Sequence, residues 1–126
     1  MHVLLVEDHL PTLDALKALL QRSGCEVTTA SSVKLALECA RSGRFNGVLS
    51  DVGLPDGSGL ELMRQLRDEH GLTGIALSGY GMEEDVLRSK ESGFVAHLTK
   101  PVRAADLRQA ILLHFGKSPT NAHKPD

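Results

Sequence analysis

The residues able to do chemistry in this chain stand at the ends of short apolar runs: Glu7-Asp8 after Val3 to Val6, Asp51 after Val48 and Leu49, Ser78 after Ile75 to Leu77, and Lys100-Pro101 after Leu98. Together they supply what a phosphoryl transfer requires. Clustered carboxylates repel unless a proton or cation neutralises them, and a hard divalent ion is the natural partner. Mg²⁺ fits because it binds through one or two carboxylates, keeps several waters and leaves positions for phosphate oxygens. Transfer also needs an in-line nucleophile, with positive charge and donors around the equatorial oxygens. Asp51 suits the nucleophile that becomes an acyl phosphate, Lys100 adds a point charge, and the Ser78 hydroxyl donates a hydrogen bond. Asp8 and Asp51 are expected as direct metal ligands, with Glu7 acting through water. Pro101 fixes the turn that aims Lys100, and a cis peptide bond is one way to do it. The turn-forming run Leu54-Pro55-Asp56-Gly57-Ser58-Gly59 bends the chain sharply after Asp51, and the Gly53 carbonyl is expected as a further metal ligand.

These residues can meet only if a fold brings the run ends to one edge. Apolar runs alternate with helical periodicities throughout, the pattern of repeated βα units. Strands are expected near residues 2–6, 25–29, 46–50, 74–77 and 95–98, with five helices. Three runs, 3–6, 47–49 and 75–77, are apolar on successive residues, as strands covered on both faces should be. Glu26, Thr28 and Thr29 interrupt the second strand, and His97 and Thr99 the fifth, which suits edges. Right-handed crossovers then give a doubly wound (βα)5 α/β domain with a five-stranded parallel sheet in the order 2-1-3-4-5. In such a sheet the carboxyl ends of strands 1 and 3 meet at the switch point, where ligands bind.

The helices read individually. Leu13, Leu16 and Leu20 recur on one face before Gly24; Ser32 caps a helix lined by Val33, Ala36, Leu37 and Ala40 and closed by Gly43. Ser58 and Glu61 have capping-box spacing ahead of Leu62, Met63 and Leu66. Leu107, Ala110, Ile111 and Phe115 form the stripe of the last helix, which stops at Gly116. Between Gly81 and Gly93 the fourth helix offers few apolar anchors, so it is expected to be the most mobile.

Composition bounds the rest. A chain of 126 residues suits one domain, placed at 1–116, followed by a polar tail at 117–126. A net charge of -2 gives no reason to expect nucleic-acid binding. Cys25 and Cys39 lack ligand spacing and read as reduced, buried packing residues. The first apolar run is too short for a signal peptide, and no stretch reaches membrane-span length, so a cytoplasmic location with no membrane insertion is expected. His2, His9, His70, His114 and His123 show no close ligand pairing and read as surface or packing residues.

The stretches Leu4-Leu5-Val6-Glu7-Asp8, Ser50-Asp51-Val52-Gly53-Leu54-Pro55-Asp56-Gly57-Ser58-Gly59, Leu77-Ser78-Gly79-Tyr80-Gly81 and Leu98-Thr99-Lys100-Pro101 together resemble the receiver domains of two-component response regulators, over about residues 1–116. The resemblance implies a flavodoxin-like fold and a phosphorelay role. Asp51 would take a phosphoryl group from a phosphohistidine on a histidine kinase or phosphotransfer protein. Mg²⁺ would be held by Glu7, Asp8, Asp51 and the Gly53 carbonyl, with Ser78 and Lys100 contacting phosphate. It also implies a switch in which Ser78 moves toward the phosphoryl group and an aromatic on the fifth strand turns inward. Output would then pass through the face of the fourth helix, fifth strand and fifth helix. Here the aromatic position holds His97, a departure, because imidazole has a polar tip. The Leu-Ser-Gly-Tyr-Gly run and His97-Leu98 are most similar to receivers attached to hybrid histidine kinases.

Two other readings use some of the same residues. A haloacid-dehalogenase type phosphatase also forms an aspartyl phosphate, but it expects an acid two residues after the nucleophile, where this chain has Gly53. A phosphate-independent interaction domain would have no use for Asp51, Ser78 and Lys100.

Overall fold

Val3 to Val6, Val48 and Leu49, and Ile75 to Leu77 are shielded from solvent on both sides, so their segments form the middle of the sheet. The computed structural model describes residues 1–79 and 91–116. The strands are β1 (His2–Val6), β2 (Glu26–Ala30), β3 (Gly47–Asp51), β4 (Gly53–Leu54), β5 (Gly57–Ser58), β6 (Gly74–Ser78) and β7 (Phe94–Thr99). Five of them pair in parallel in the order β2-β1-β3-β6-β7, while β4 and β5 make a separate antiparallel hairpin. The main sheet thus has the expected order 2-1-3-4-5.

Four helices are described: α1 (Leu10–Arg22), α2 (Val33–Ser42), α3 (Gly59–His70) and α4 (Ala104–Phe115). The helix expected between Gly81 and Gly93 falls largely outside the described residues, as do Tyr80, Met82 and the tail from 117. Because successive strand residues point to opposite faces, neighbours in β1 belong to different cores. Leu4 and Val6 pack with Ala36 and Ala40 of α2 and Leu62, Met63 and Leu66 of α3. Val3 and Leu5 pack with Leu13, Leu16 and Leu20 of α1 and Leu107, Ile111 and Phe115 of α4. Among the described residues a helix pair therefore covers each face, the doubly wound arrangement.

Edge character also matches expectation, since Val27, Thr28 and Thr29 in β2 and Ala96, His97 and Leu98 in β7 are only half-buried. The second and third strands each begin one residue later than the sequence pattern suggests. The reason at β2 is the exit from α1: Gly24 adopts φ 88, and the Cys25 amide still donates to the Leu20 carbonyl. At β3 the shift places Asp51 within the strand, paired with Leu77.

Two expectations need correction. Ser58 caps α3 by accepting from the Leu60 amide, not from Glu61, and the Glu61 carboxylate binds Arg64 at 2.7 Å instead. The reciprocal capping box does not form, because the Ser58 hydroxyl is taken by Leu60 and the Glu61 carboxylate by Arg64. Cys39 is half-buried rather than buried, while Cys25 is buried, and both are free thiols. Burial pushes both thiols up, so neither is poised as a reactive thiolate. His2 is a packing residue as expected: its ring lies 4.4 Å from that of Phe45, with its nitrogens 2.7 Å from the Arg44 carbonyl and the Thr28 hydroxyl.

Candidate functional site

Register decides what meets at the carboxyl edge. Val6 aligns with Ser50, Asp51 with Leu77, and Ser78 with Thr99, so Glu7, Asp8, Asp51, Ser78 and Lys100 leave the sheet side by side. Glu7, Asp8 and Asp51 each offer a carboxylate oxygen within 4.8 Å of the others, and they are the one group of metal-capable side chains among the described residues. Asp8 is exposed, Asp51 half-buried and Glu7 fully buried.

Lys100 reaches into this cluster. Its Nζ lies 2.5 Å from Glu7 Oε1 and 3.0 Å from Asp51 Oδ2. Burial alone would lower the Lys100 pKa, but the hydrogen bonds and charges of Glu7 and Asp51 outweigh it and raise the value, so the ammonium stays charged. The backbone reinforces the placement: the Lys100 amide donates to the Ser78 carbonyl at 2.8 Å, and the Lys100-Pro101 peptide is cis. Glu7 is held in turn, because its Oε2 accepts from the His9 amide at 3.1 Å. One ammonium among three carboxylates leaves two negative charges uncompensated, which is the charge of one divalent cation.

Ser78 is buried and its Oγ has no hydrogen-bond partner among the described residues. A buried hydroxyl without a partner is uncommon and marks a place where a ligand atom can be received. These features fit a magnesium and phosphoryl site. Gly53 is exposed at the start of β4, two residues beyond Asp51. His97 lies in β7, half-buried, with Nε2 3.3 Å from the Thr99 hydroxyl.

Sequence reasoning missed Gly59, whose amide donates to the Val52 carbonyl at 2.7 Å. A Cβ there would lie 2.0 Å from the Asp51 carbonyl oxygen and 2.9 Å from Val52 Cα. The first turn of α3 therefore packs directly on the backbone of Asp51. Alanine is the better helix former by about 1 kcal/mol, but overpacking against rigid backbone costs roughly 3 kcal/mol. Gly59→Ala should accordingly lower stability in urea denaturation; an unchanged or raised midpoint would contradict the close approach.

An acidic trio, a bridging lysine and a buried hydroxyl at the switch point of a doubly wound sheet define a class of phosphoryl-handling α/β domains. The profile of the response regulator receiver domain matches residues 3–112, and the chain belongs to that family. It is 37% identical over 114 residues to an uncharacterised 14.6 kDa protein of Leptolyngbya boryana, covering 88% of this chain and 87% of that one. The polar-differentiation response regulator DivK of Brucella anthropi is 30% identical, with 90% of this chain and 95% of DivK covered. A two-component response regulator of Arabidopsis thaliana is 36% identical over 86% of this chain, which spans only 20% of that protein.

Solved structures agree. A receiver domain protein from Methanospirillum hungatei superposes with a TM-score of 0.85 at 31% identity, covering 91% of this chain and 93% of that one. The receiver domain of a sensor histidine kinase from Pseudomonas aeruginosa, which has a magnesium ion coordinated in its active-site cleft, gives a TM-score of 0.83 at 26% identity, covering 92% and 98%. Receiver domains are signalling modules of two-component systems that work with histidine kinases or phosphotransfer proteins. No helix among the described residues is long and apolar enough to cross a membrane.

Proposed function

We propose that Asp51 is the phosphoacceptor of this receiver domain, with Lys100 and Ser78 contacting the transferred group. The observation that carries the assignment is the bridging of Glu7 and Asp51 by the Lys100 ammonium inside the acidic cluster. A carboxylate oxygen of Asp51 attacks the phosphorus of a kinase or phosphotransfer-protein phosphohistidine. The new O–P bond forms as the N–P bond breaks, and the leaving imidazole takes up a proton. Lys100 supplies positive charge, and the Ser78 hydroxyl, without a partner among the described residues, has a proton to donate to a phosphoryl oxygen. Mg²⁺, held by Asp8, Asp51 and the Gly53 carbonyl with Glu7 acting through water, would neutralise charge developing on the group in flight. Hydrolysis of the acyl phosphate resets the domain, so the chain promotes its own phosphorylation and dephosphorylation without turning over an external substrate.

The wider reading follows from this assignment. Residues 1–116 form the receiver and 117–126 a tail or linker; the domain acts in the cytoplasm, with no direct nucleic-acid contact and no membrane insertion. The downstream protein binds the face that includes β7 and α4. Incubation with acetyl phosphate and Mg²⁺ followed by intact mass tests the core claim. One phosphoryl group retained per chain supports it, while donor turnover with no phosphoryl group retained on the chain points to a phosphatase and neither modification nor turnover to an interaction domain.

His97 bears on the switch. Its imidazole has a polar tip, which here lies beside Thr99 and favours a hydrogen bond over a buried apolar slot. The phosphorylation-linked amide shifts in β7 and α4 should therefore be larger in His97→Phe than in the wild type. Equal shifts in the two proteins would discard the idea.

A further inference from the structure

The backbone N–H groups of Val33, Lys34 and Leu35 at the N-terminus of α2 are three of the four that every helix leaves without a partner inside it. Its own cap, Ser32, takes only one of them, accepting from Leu35 at 3.2 Å. The other two are taken from across the molecule: Asp56 Oδ1 accepts from Val33 at 2.8 Å and Asp56 Oδ2 from Lys34 at 3.1 Å. Asp56 sits at the turn of the β4–β5 hairpin, whose first strand starts at Gly53 and whose last residue is the α3 cap, Ser58. The same hairpin touches α2 a second time, since a Cβ on Gly57 would lie 3.3 Å from Val33 Cγ2.

Resting on the phosphoacceptor reading, we propose that Asp56 is a positioning residue for the metal site, clamping the hairpin that carries the Gly53 carbonyl onto the N-terminus of α2. A bidentate carboxylate on two helix N–H groups fixes direction as well as distance, and the helix dipole favours its charge. Without that anchor the hairpin keeps its ends at Asp51 and Ser58, the packing of Leu54 on the core and the approach of Gly57 to Val33, but it loses the polar contacts that set its direction, and the carbonyl expected to face the metal loses its aim. The Val33 and Lys34 amides hold the Asp56 carboxyl below its ordinary value. The clamp is therefore in place above the usual carboxylate range and is released only in acid. A helix formed from residues 33–42 thereby helps to shape a site to which it contributes no side chain.

The test is a Mg²⁺ titration of the full chain at neutral pH, followed by backbone amide shifts, with hydrogen exchange of the Val33 and Lys34 amides measured in metal-free protein. Asp56→Ala should speed that exchange and weaken Mg²⁺ binding about tenfold, the lower end for losing an outer partner of a metal site. At saturating Mg²⁺ its phosphorylation rate should return to that of the wild type. Asp56→Asn keeps one acceptor oxygen that caps helices well but turns the other into a donor, so it should recover only part of the affinity, as Val33→Pro should lose only part. Val33→Pro attacks the contact from the other side and decides the matter if Asp56→Ala fails to fold. Proline suits the first helical position, Ser32 before it is already extended at φ -154 and ψ 167, and one Asp56 bond is lost. Weakened Mg²⁺ binding in Val33→Pro supports the proposal, and wild-type binding overturns it. Wild-type Mg²⁺ affinity in Asp56→Ala, even with a lower melting temperature, reduces Asp56 to an ordinary cap and overturns the proposal alone. A wild-type chain that takes neither Mg²⁺ nor a phosphoryl group overturns the phosphoacceptor reading and the positioning role with it.

Discussion

Asp51→Asn is expected to gain no mass at all from acetyl phosphate and Mg²⁺, under conditions in which the wild-type chain gains one phosphoryl group. The amide has the shape of the carboxylate but not its nucleophilic oxygen, and no other described carboxylate shares its position. Asp8 is exposed and Glu7 is buried against Lys100. The variant should fold. It loses the 3.0 Å ion pair with Lys100 but also removes one of three mutually repelling charges, effects of opposite sign that offset each other. An unchanged urea midpoint with no phosphorylation separates lost chemistry from lost structure. Residual modification would move the acceptor to Glu7 or Asp8, and peptide mapping would identify it.

Lys100→Met should have the second largest effect, seen in two measurements. Phosphorylation should slow by about 10²-fold, the scale for removing one charged donor from a transferring group. Stability should also fall. The variant leaves Glu7, fully buried, without its ion partner at 2.5 Å, and breaking a buried pair costs 3–5 kcal/mol. Lys100 retains 27% side-chain exposure, so roughly 3 kcal/mol, the low end, is expected. Mg²⁺ affinity should rise, because the internal ammonium no longer competes for the same carboxylates.

The pH dependence follows from the raised Lys100 pKa. A raised lysine contributes stability that is fully present below the ordinary lysine value, about 10.4, and lost as pH climbs through the folded value. Wild-type stability on this account is flat through neutral pH and declines in alkali. Lys100→Met should lack that alkaline step. Urea denaturation at a series of pH values reads it directly, and an alkaline decline of equal size in both proteins would count against the ion pair as its cause.

Much of the site was legible because its residues follow apolar runs, and a parallel sheet delivers every such run end to one edge. The order 2-1-3-4-5 could be argued from which runs were apolar throughout and which were broken by Glu26, Thr28, Thr29 or His97. Capping was less legible. Ser58 and Glu61 had the spacing of a reciprocal box, yet the Ser58 hydroxyl accepts from Leu60 and Glu61 turns to Arg64. Spacing reports which bonds are within reach, while competing partners decide which form.

Asp56 and Gly59 mark the limit more sharply. The first was readable only as a turn residue and the second only as a glycine ahead of a helix. Their roles depend on α2 lying beside the hairpin and on α3 resting against the Asp51 backbone. The amino-acid sequence by itself determined the elements, their layering and the chemical inventory at the strand ends, because periodicity and residue type are local properties. The tertiary structure alone decided how deeply Glu7 is buried, which carboxylates the Lys100 ammonium bridges, that Ser78 Oγ has no partner among the described residues, and what Asp56 holds. Each of these depends on distances between segments far apart in the chain, and packing, not sequence spacing, sets such distances.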